Sequence, residues 1–341
     1  MAKTIGILTG GGDCPGLNAV IRAVCRRLWE GGHETVGVLS GWRGMIDGNL
    51  RPLGYDEISG ILPRGGTIIG TSRTNPHTLQ GGVEGVKRTF EELDALVAIG
   101  GEDTLGVAAR LHSEEGLPVV GVPKTIDNDL NGTDYTFGFD TAVFVATEAV
   151  DRVHSTAESH NRIIVVETMG RHAGWIALMS GIAGGADYIL IPEQPVVYDD
   201  VAAAVERRRA RGKSFSVIVA SEGSELPGVA DEGEVDEFGH VRVENRNVGE
   251  TVAREIESRT GMQARATVLG YIQRGGTPTP RDRILGLRFG LEAAALVEAG
   301  GFGQMAALRG DEVVPVPLTE ATAELKLVPD SWYEVARTFF G

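Results

Sequence analysis

The sequence has 341 residues, of which 42% are hydrophobic, so it can bury the core of two ordinary domains or of one large α/β unit without structural disulfides. Its formal net charge of −15 disfavours nucleic acid as a partner, because phosphate backbones are held by basic surfaces. No apolar run is long enough to predict a membrane span, and two cysteines without a zinc-binding cluster, Cys14 and Cys25, favour a reduced, cytoplasmic setting.

The first half of the chain predicts alternating strands and helices. Strands are expected at 4–9, 35–39, 95–99 and 118–122, and helices at 17–29 and 104–111. Strands joined by helical crossovers in this way are typical of a parallel, doubly wound sheet.

The second half predicts another sheet of the same kind. Strands are expected at 163–166, 188–191, 216–220 and 267–269, and helices at 174–183 and 199–211. The acidic, glycine-rich stretch 225–244 predicts an exposed hairpin or mobile loop. The expected fold is therefore α/β, with two doubly wound, mainly parallel, Rossmann-like domains. Because such sheets bind ligands beyond the carboxyl ends of their strands, the active site is expected in the cleft between the domains.

Three glycines at 10–12 separate the first strand from its helix. Glycines let the backbone approach an anion closely, and a helix N-terminus adds N–H donors and the positive end of a dipole. This turn therefore predicts a phosphate site. Dinucleotide-binding folds use similar turns, and some such turns only pack tightly.

A second glycine pair, Gly100 and Gly101, precedes Glu102, Asp103 and Thr104. Adjacent carboxylates repel a phosphate unless a cation lies between them, which predicts a bound Mg²⁺. Alternatively, Asp103 or Thr104 only caps the following helix.

The segment 123–129 follows the strand at 118–122 and is rich in polar side chains. If it is extended, Thr125, Asp127 and Asp129 point one way while Ile126 and Asn128 point the other. A carboxylate in that row can accept the proton of a sugar hydroxyl. On composition alone, an Asx-rich turn is the competing interpretation.

Several arginines occur in the second half of an otherwise acidic chain: Arg162, Arg171, Arg265 and Arg274. Their forked guanidinium groups match phosphate oxygens two at a time, which predicts a phosphorylated substrate, although single arginines are commonly surface ion-pair residues. Glu222, which follows the strand at 216–220, can hydrogen-bond sugar hydroxyls or lie in solvent.

Together these segments resemble the 6-phosphofructokinase family, which has ATP-dependent and pyrophosphate-dependent members. The resemblance rests on GGDCPGLN at 11–18, GGEDT at 100–104, PKTIDND at 123–129, MGR at 169–171 and LGYIQRGG at 269–276. The motifs occur in the order and with the approximate spacing of the family, across most of the chain.

The resemblance implies that the chain phosphorylates fructose 6-phosphate, with Asp127 as the proton acceptor for the 1-hydroxyl group and Mg²⁺ as cofactor. It implies that Arg162 reaches the site from a neighbouring subunit, so that the enzyme is a homo-oligomer, a dimer or a tetramer. Bacterial ATP-dependent members usually carry histidine where this chain has Tyr271, which keeps a hydrogen-bond donor but cannot become cationic. The substrate residues implied are Thr125, Ile126, Asp127, Arg162, Met169, Gly170, Arg171, Glu222, Arg265, Tyr271, Ile272, Gln273 and Arg274.

Two residues of the donor motifs indicate pyrophosphate. ATP-dependent relatives usually have glycine where this chain has Asp103, and bacterial ones usually have glycine where it has Lys124. An aspartate there excludes the α-phosphate of a nucleotide by volume and by charge, whereas pyrophosphate ends before that point. The metal is then assigned to Glu102 and Asp129, and the donor contacts to Gly11, Arg73, Gly101 and Thr104, with Lys124 supplying a cation.

The resemblance also divides the chain. Residues 1–138 and about 272–322 are expected to bind pyrophosphate, and residues 139–271 and about 323–341 to bind fructose 6-phosphate. An ATP-dependent 6-phosphofructokinase and a non-catalytic phosphosugar-binding subunit are the alternatives. A nicotinamide dehydrogenase is disfavoured, because the chain lacks the spaced Gly-x-Gly-x-x-Gly fingerprint and its downstream acidic residue.

Overall fold

A computed structural model of the chain describes residues 2–228, 238 and 246–341. Most of the stretch 225–244, predicted as an exposed hairpin or mobile loop, lies outside these residues. The strands are β1 (Thr4–Thr9), β2 (Glu34–Val38), β3 (Leu50–Pro52), β4 (Ala95–Gly100), β5 (Val119–Thr125), β6 (Phe137–Gly138), β7 (Ile163–Thr168), β8 (Tyr188–Leu190), β9 (Ser216–Ser221), β10 (Ala264–Val268), β11 (Gln304–Arg309) and β12 (Glu312–Pro317). The helices are α1 (Leu17–Glu30), α2 (Trp42–Asp47), α3 (Tyr55–Ile58), α4 (Gly82–Phe90), α5 (Glu102–Glu115), α6 (Phe139–His160), α7 (Trp175–Ala183), α8 (Tyr198–Ala210), α9 (Val248–Thr260), α10 (Pro280–Ala299), α11 (Leu318–Ala321) and α12 (Asp330–Arg337), and a 3₁₀ turn spans Gly270–Arg274.

The first sheet has the strand order β12-β11-β5-β4-β1-β2-β3, with the short β6 beside β5. Strands β2, β1, β4, β5 and β11 are parallel, while β3 and β12 are antiparallel edge strands. The chain runs from β1 outward to β3 and then returns to β4, so the winding direction reverses between β1 and β4. Ligands of doubly wound sheets bind at such a reversal, beyond the carboxyl ends of the strands.

The second sheet has the order β10-β7-β9-β8, and all of its pairs are parallel. The predicted α/β class with two mainly parallel sheets is therefore confirmed. The last strand lies at Ala264–Val268 instead of 267–269, because it is an exposed edge strand on which Arg265 and Thr267 face solvent and interrupt the apolar pattern.

One continuous apolar core joins the two sheets. It includes Ile5 and Ile7 of β1, Ile164 and Val166 of β7, and the buried face of α6. Burial of apolar surface across the junction stabilises the two sheets as one packed unit. None of the described helices is both long enough and apolar enough to cross a membrane.

The chain crosses between the sheets at the start of α6 and again before α10, and hydrogen bonds tie the two crossings together. The buried Asp282 accepts bonds from Thr141 N at 2.8 Å and Thr141 Oγ1 at 2.6 Å. Thr279 Oγ1 donates to Asp140 Oδ2 at 2.7 Å. A buried carboxylate bonded in this way fixes the relative position of the two crossings, and with them the 3₁₀ turn that precedes α10.

Candidate active site

The carboxyl ends of the parallel strands in both sheets face a cleft of about 400 Å³, a size typical of small-ligand sites. Its first wall follows β1, β4 and β5, and its second wall follows β7, β9 and β10. The predicted site residues that line it are Gly11, Arg73, Gly101, Glu102, Asp103, Thr104, Lys124, Thr125, Asp127, Asp129, Met169, Arg171, Glu222, Tyr271 and Arg274. Residues scattered over much of the sequence therefore meet in one place.

The glycine turn after β1 is held rigidly by its neighbours. Gly11 N donates to Ser72 O at 3.0 Å, and Thr71 Oγ1 donates to Gly11 O at 2.6 Å. Lys124 Nζ donates to Gly12 O at 2.6 Å. Because the Gly11 N–H is already bonded, Gly11 contributes space to the cleft through its missing side chain and not a free amide donor.

The N-terminus of α1 lies away from the cleft, contrary to the mechanism suggested by the sequence. Gly16, at φ 110°, caps this helix, and a Cβ on it would lie 2.7 Å from the ring of Phe137. Among the described lining residues, none comes from 13–18. The helix that begins at the cleft is α5, which contributes Glu102, Asp103 and Thr104 from its first turn.

The first turn of α5 is capped by Gly101 without a side-chain hydrogen bond, so neither Asp103 nor Thr104 is the N-cap. Thr104 is buried, and its hydroxyl would lie 2.5 Å from a Cβ placed on Gly10. The first glycine turn thus packs against α5, which brings the two glycine motifs together across the β1–β4 reversal.

The polar segment 123–129 is extended only as far as Thr125, where β5 ends, and its remaining residues form a turn. Asn128 has a φ of 52°, and Asp127 N donates to Thr125 Oγ1 at 3.0 Å. Even so, Thr125, Asp127 and Asp129 line the cleft, whereas Ile126 and Asn128 are buried. The predicted alternation of side chains is observed, although an Asx-rich turn produces it.

The carboxylates of this turn lie in a desolvated, highly charged environment. Burial raises the pKa of Asp127, while Arg274, Arg171 and Lys124 oppose that rise. Burial and the neighbouring Asp127 raise the pKa of Asp129 to about 7. Within the described part of the chain, Asp127 Oδ1 is buried and has no hydrogen-bond partner. It is therefore an acceptor that a ligand in the cleft can satisfy.

Four predicted substrate residues do not line the cleft. Gly170 O accepts a bond from Ser221 Oγ at 2.6 Å, and Gln273 is fully buried, with Oε1 accepting from Met169 N at 3.3 Å. Ile126 is buried in the core, and Ile272 is 61% exposed outside the cleft. Hydrogen bonds of Gly170 and Gln273 hold the loop that carries Met169 and Arg171.

Arg162 and Arg265 lie at the opposite end of the second sheet. Arg162 directly precedes β7, and Arg265 is the second residue of β10, in register with Ile164. Arg265 NH1 lies 3.5 Å from Glu257 Oε2. Because the cleft faces the carboxyl ends of these strands, neither arginine reaches the cleft of its own chain. For Arg265 this corrects the expectation of a contact within one subunit.

Comparisons with known proteins identify the family of the chain. A family model described as phosphofructokinase matches residues 4–297. The chain belongs to the phosphofructokinase family. It is 58% identical over 343 residues to pyrophosphate–fructose 6-phosphate 1-phosphotransferase of Amycolatopsis methanolica, covering 99% of both proteins. It is also 51% identical over 344 residues to ATP-dependent 6-phosphofructokinase of Mycobacterium leprae, again covering 99% of both.

A solved structure of Pichia pastoris phosphofructokinase in the T-state superposes with a TM-score of 0.81 at 31% identity. The match covers 99% of this chain and 36% of that one. The whole chain, including both walls of the cleft, therefore has the phosphofructokinase fold. The family assignment does not depend on a single weak motif.

Some lining residues of this phosphofructokinase cleft were given no individual role from the sequence, although Gly12 and Gly270 belong to recognised motifs: Gly12, Glu167, His172, Val268 and Gly270. Gly12 could have been found, because it belongs to the same glycine turn, and a Cβ on it would lie 2.6 Å from Arg274 NH1. Glu167 directly follows the strand predicted at 163–166, which is also a recognisable signal. Its Oε2 accepts a bond from Gly249 N at 2.6 Å, so it links the cleft to α9.

Glu222→Gln is expected to stabilise the folded protein at alkaline pH. Burial, with smaller contributions from Asp127 and Glu167, raises the pKa of Glu222 to about 7. Below the unfolded pKa both states are protonated, and as the pH rises towards 7 the wild type loses stability because only the unfolded state ionises freely. The variant should therefore gain about 1–3 kcal/mol of unfolding free energy at pH 8 and nothing at pH 4.

Urea denaturation at fixed protein concentration between pH 4 and pH 8 measures this difference. The exposed Glu225 provides a matched control, Glu225→Gln, which should follow the wild type at every pH. A Glu222→Gln gain that is the same at pH 4 and pH 8 would contradict the assignment.

Proposed function

We propose that the chain transfers a phosphoryl group from pyrophosphate to the 1-hydroxyl of fructose 6-phosphate, giving fructose 1,6-bisphosphate and phosphate, in a reversible step of glycolysis or gluconeogenesis. The observation that carries the proposal is Asp127 Oδ1, a buried carboxylate oxygen without a partner among the described residues. It lies in a cleft that is also lined by Arg171, Arg274 and Lys124, whose positive charges oppose the rise of its pKa. The name printed for the Amycolatopsis methanolica relative supports the same reaction.

The proposed chemistry needs few groups. The 1-oxygen of the sugar forms a bond to one phosphorus of pyrophosphate, the bridging P–O bond breaks, and phosphate leaves with that electron pair. Asp127 takes the proton of the 1-hydroxyl. Phosphoryl transfer otherwise demands positioning and compensation of negative charge, which Lys124, Arg73 and Arg171 can supply from the walls of the cleft.

The cleft also fits a magnesium ion that enters together with the donor. Among the described residues, no three His, Cys, Asp or Glu side chains converge as ligands. Glu102 and Asp129 both line the cleft, and Mg²⁺ commonly uses one or two carboxylates while phosphate oxygens and waters complete its shell. We assign these two carboxylates to the metal, which would neutralise negative charge on the donor when bound.

The donor end of the cleft favours pyrophosphate over a nucleotide. It is lined by Gly11, Gly12, Arg73, Gly101, Glu102, Asp103 and Thr104, which present glycine backbone, charge and hydroxyl. An adenine ring needs a flat apolar or aromatic surface. Trp42 does not supply one, because it is buried, with Nε1 donating to Thr104 O at 3.3 Å. Arg43 instead lies 3.8 Å from Asp47.

A two-donor assay tests the proposal. Purified protein with fructose 6-phosphate and Mg²⁺ should turn over with pyrophosphate and produce at least about 100 times less product with ATP, since one excluded charged group corresponds to a few kcal/mol. Turnover with ATP alone would establish the ATP-dependent alternative. The name printed for the Mycobacterium leprae relative supports that alternative. Binding of fructose 6-phosphate without turnover on either donor would establish the non-catalytic alternative.

The proposal assigns a role to each half of the fold. The first sheet, within residues 1–138 and about 272–322, would bind pyrophosphate, and the second, within 139–271 and about 323–341, would bind the sugar phosphate. Both cysteines, Cys14 and Cys25, are buried free thiols, which fits the proposed cytoplasmic location.

We further propose that the site is completed by a second copy of the chain in a dimer or tetramer. Arg162 and Arg265 lie together at the end of β7 and β10 that faces away from their own cleft. Since an arginine pair suits a 6-phosphate, the partner subunit's cleft is the place where both can act.

Mixed oligomers are expected to recover activity that neither parent has. Asp127→Ser and Arg162→Ala chains, carrying different tags and purified as the mixed dimer, should form one site with both groups intact and show about half of the wild-type activity. The measurement is turnover at subsaturating fructose 6-phosphate. If the mixed dimer stays as inactive as the parents, Arg162 does not act across the subunit boundary.

A further inference from the structure

Residues 325–328 form a short segment that touches both walls of the cleft from behind. We call this segment the strap. On the first wall, Leu325 makes an antiparallel bridge with Leu130, and Lys326 N donates to Asp129 O at 2.8 Å. The strap therefore holds the backbone of the turn that carries Asp127 and Asp129.

The side chain of Lys326 strengthens this attachment. Its ammonium group donates to Asn128 Oδ1 at 3.0 Å, to Thr133 O at 2.8 Å and to Asp134 O at 3.1 Å. An ammonium group has three donors, and here each has an acceptor on the catalytic turn or in the loop that follows it. Removing the ammonium would leave Asn128, next to the proton acceptor, with one contact fewer.

The same strap is bonded to the second wall. Trp175 Nε1 donates to Lys326 O at 3.0 Å, and Val328 N donates to Glu193 Oε1 at 2.9 Å. Glu193 also accepts from Gly174 N at 3.0 Å. Gly174 caps α7 and Trp175 begins it, immediately after the loop with Arg171 that lines the sugar side of the cleft.

We propose that the strap sets the distance between the proton acceptor and the sugar-binding loop, and that Lys326 is its positioning residue. This inference rests on the proposed function, because it concerns the geometry of that reaction. Proton transfer and in-line attack require reacting atoms within about 3–3.5 Å, and a displacement of about 1 Å can cost on the order of 100-fold in rate. Lys326 contacts neither substrate in this account, so it acts through Asn128 and Asp129.

Aminoethylation of a Lys326→Cys variant tests the positioning role. The variant is expected to lose about 10- to 100-fold in kcat, while KM for fructose 6-phosphate changes less than about threefold. Alkylation with 2-bromoethylamine rebuilds an ammonium side chain of nearly the same length and should restore most of kcat. Both native cysteines are fully buried, which protects them from the reagent. The exposed Lys213, as Lys213→Cys, is the matched control and should behave as wild type before and after alkylation.

Amide hydrogen exchange of residues 126–136 gives a readout independent of turnover. Exchange should be at least about tenfold faster in Lys326→Cys and slow again after aminoethylation, because the turn loses and regains its bonds. A folded Lys326→Cys variant with wild-type kcat, or with wild-type amide exchange, would contradict the positioning role of the strap. If the wild-type protein turned over neither donor, the proposed function would be wrong. The exchange measurement would still test whether Lys326 holds the turn in place.

Discussion

Replacing Asp127 with serine is expected to lower kcat by about 10³–10⁴-fold while fructose 6-phosphate still binds. The structure places this carboxylate in the cleft with one oxygen, Oδ1, buried and without a partner among the described residues. A serine hydroxyl in its place cannot hold the proton of the 1-hydroxyl, because its basicity is far too low. Binding should persist because Arg171, Glu222 and Arg274 remain on the sugar side.

Steady-state turnover with pyrophosphate and calorimetric titration with fructose 6-phosphate separate the two effects. Asp151→Ser, on the exposed face of α6, is a suitable control and should leave both quantities unchanged. Loss of sugar binding in parallel with turnover would mean that Asp127 is a binding residue. Turnover within tenfold of wild type would remove it from the mechanism altogether.

Most of the central strands could be predicted from the sequence, because they are buried on both faces and appear as short apolar runs. Thus β1, β4, β7 and β9 are buried along nearly their entire length. The 22-residue helix α6 was not predicted. Its buried stripe consists largely of small side chains, such as Ala142 and Ala146, while the large apolar Phe144 between them is 53% exposed, so its periodicity in hydrophobicity is weak.

The candidate site was predictable where its residues directly follow strands in chain order. Its supporting contacts were not, because they join positions far apart in the sequence. Lys326 and Asn128 are 198 positions apart, and the lysine lies in a segment without a recognisable motif. Gln273 shows that a recognised motif does not by itself tell which of its side chains face the cleft. It belongs to a recognised motif, yet its side chain turns inward and holds Met169.

The placement of Arg265 also required the structure. A motif indicates that an arginine can bind phosphate, but only strand direction shows which end of the sheet carries it. Strand β10 runs parallel to β7, and Arg265 lies next to Ala264, which pairs with Ile163 at the start of the two strands. Arg265 is therefore at the end opposite to Glu167 and the cleft. Sequence order alone gives no information on this point.

Replacing Lys124 with glycine is expected to lower kcat/KM for pyrophosphate by about 10²–10³-fold, and Asp103→Gly by about 10- to 100-fold. Lys124 is buried, burial lowers its pKa, and its ammonium both fixes Gly12 O and lies near Asp127 and Asp129. Its loss removes a donor to phosphate, frees the glycine turn and leaves the two carboxylates less compensated. Asp103 only bounds the donor from α5, so its loss loosens position without removing a cation.

Kinetics with pyrophosphate and with ATP on Asp103→Gly, Asp103→Asn and Lys124→Gly distinguish volume from charge at the donor end. Asparagine keeps the volume of the aspartate but removes its charge. If volume excludes a nucleotide, only the glycine variant should admit ATP at all, and then weakly, because the described donor end has no apolar surface for a base. If charge excludes it, both variants should admit ATP equally. Undiminished pyrophosphate turnover in Lys124→Gly would show that the lysine serves the glycine turn and not the donor.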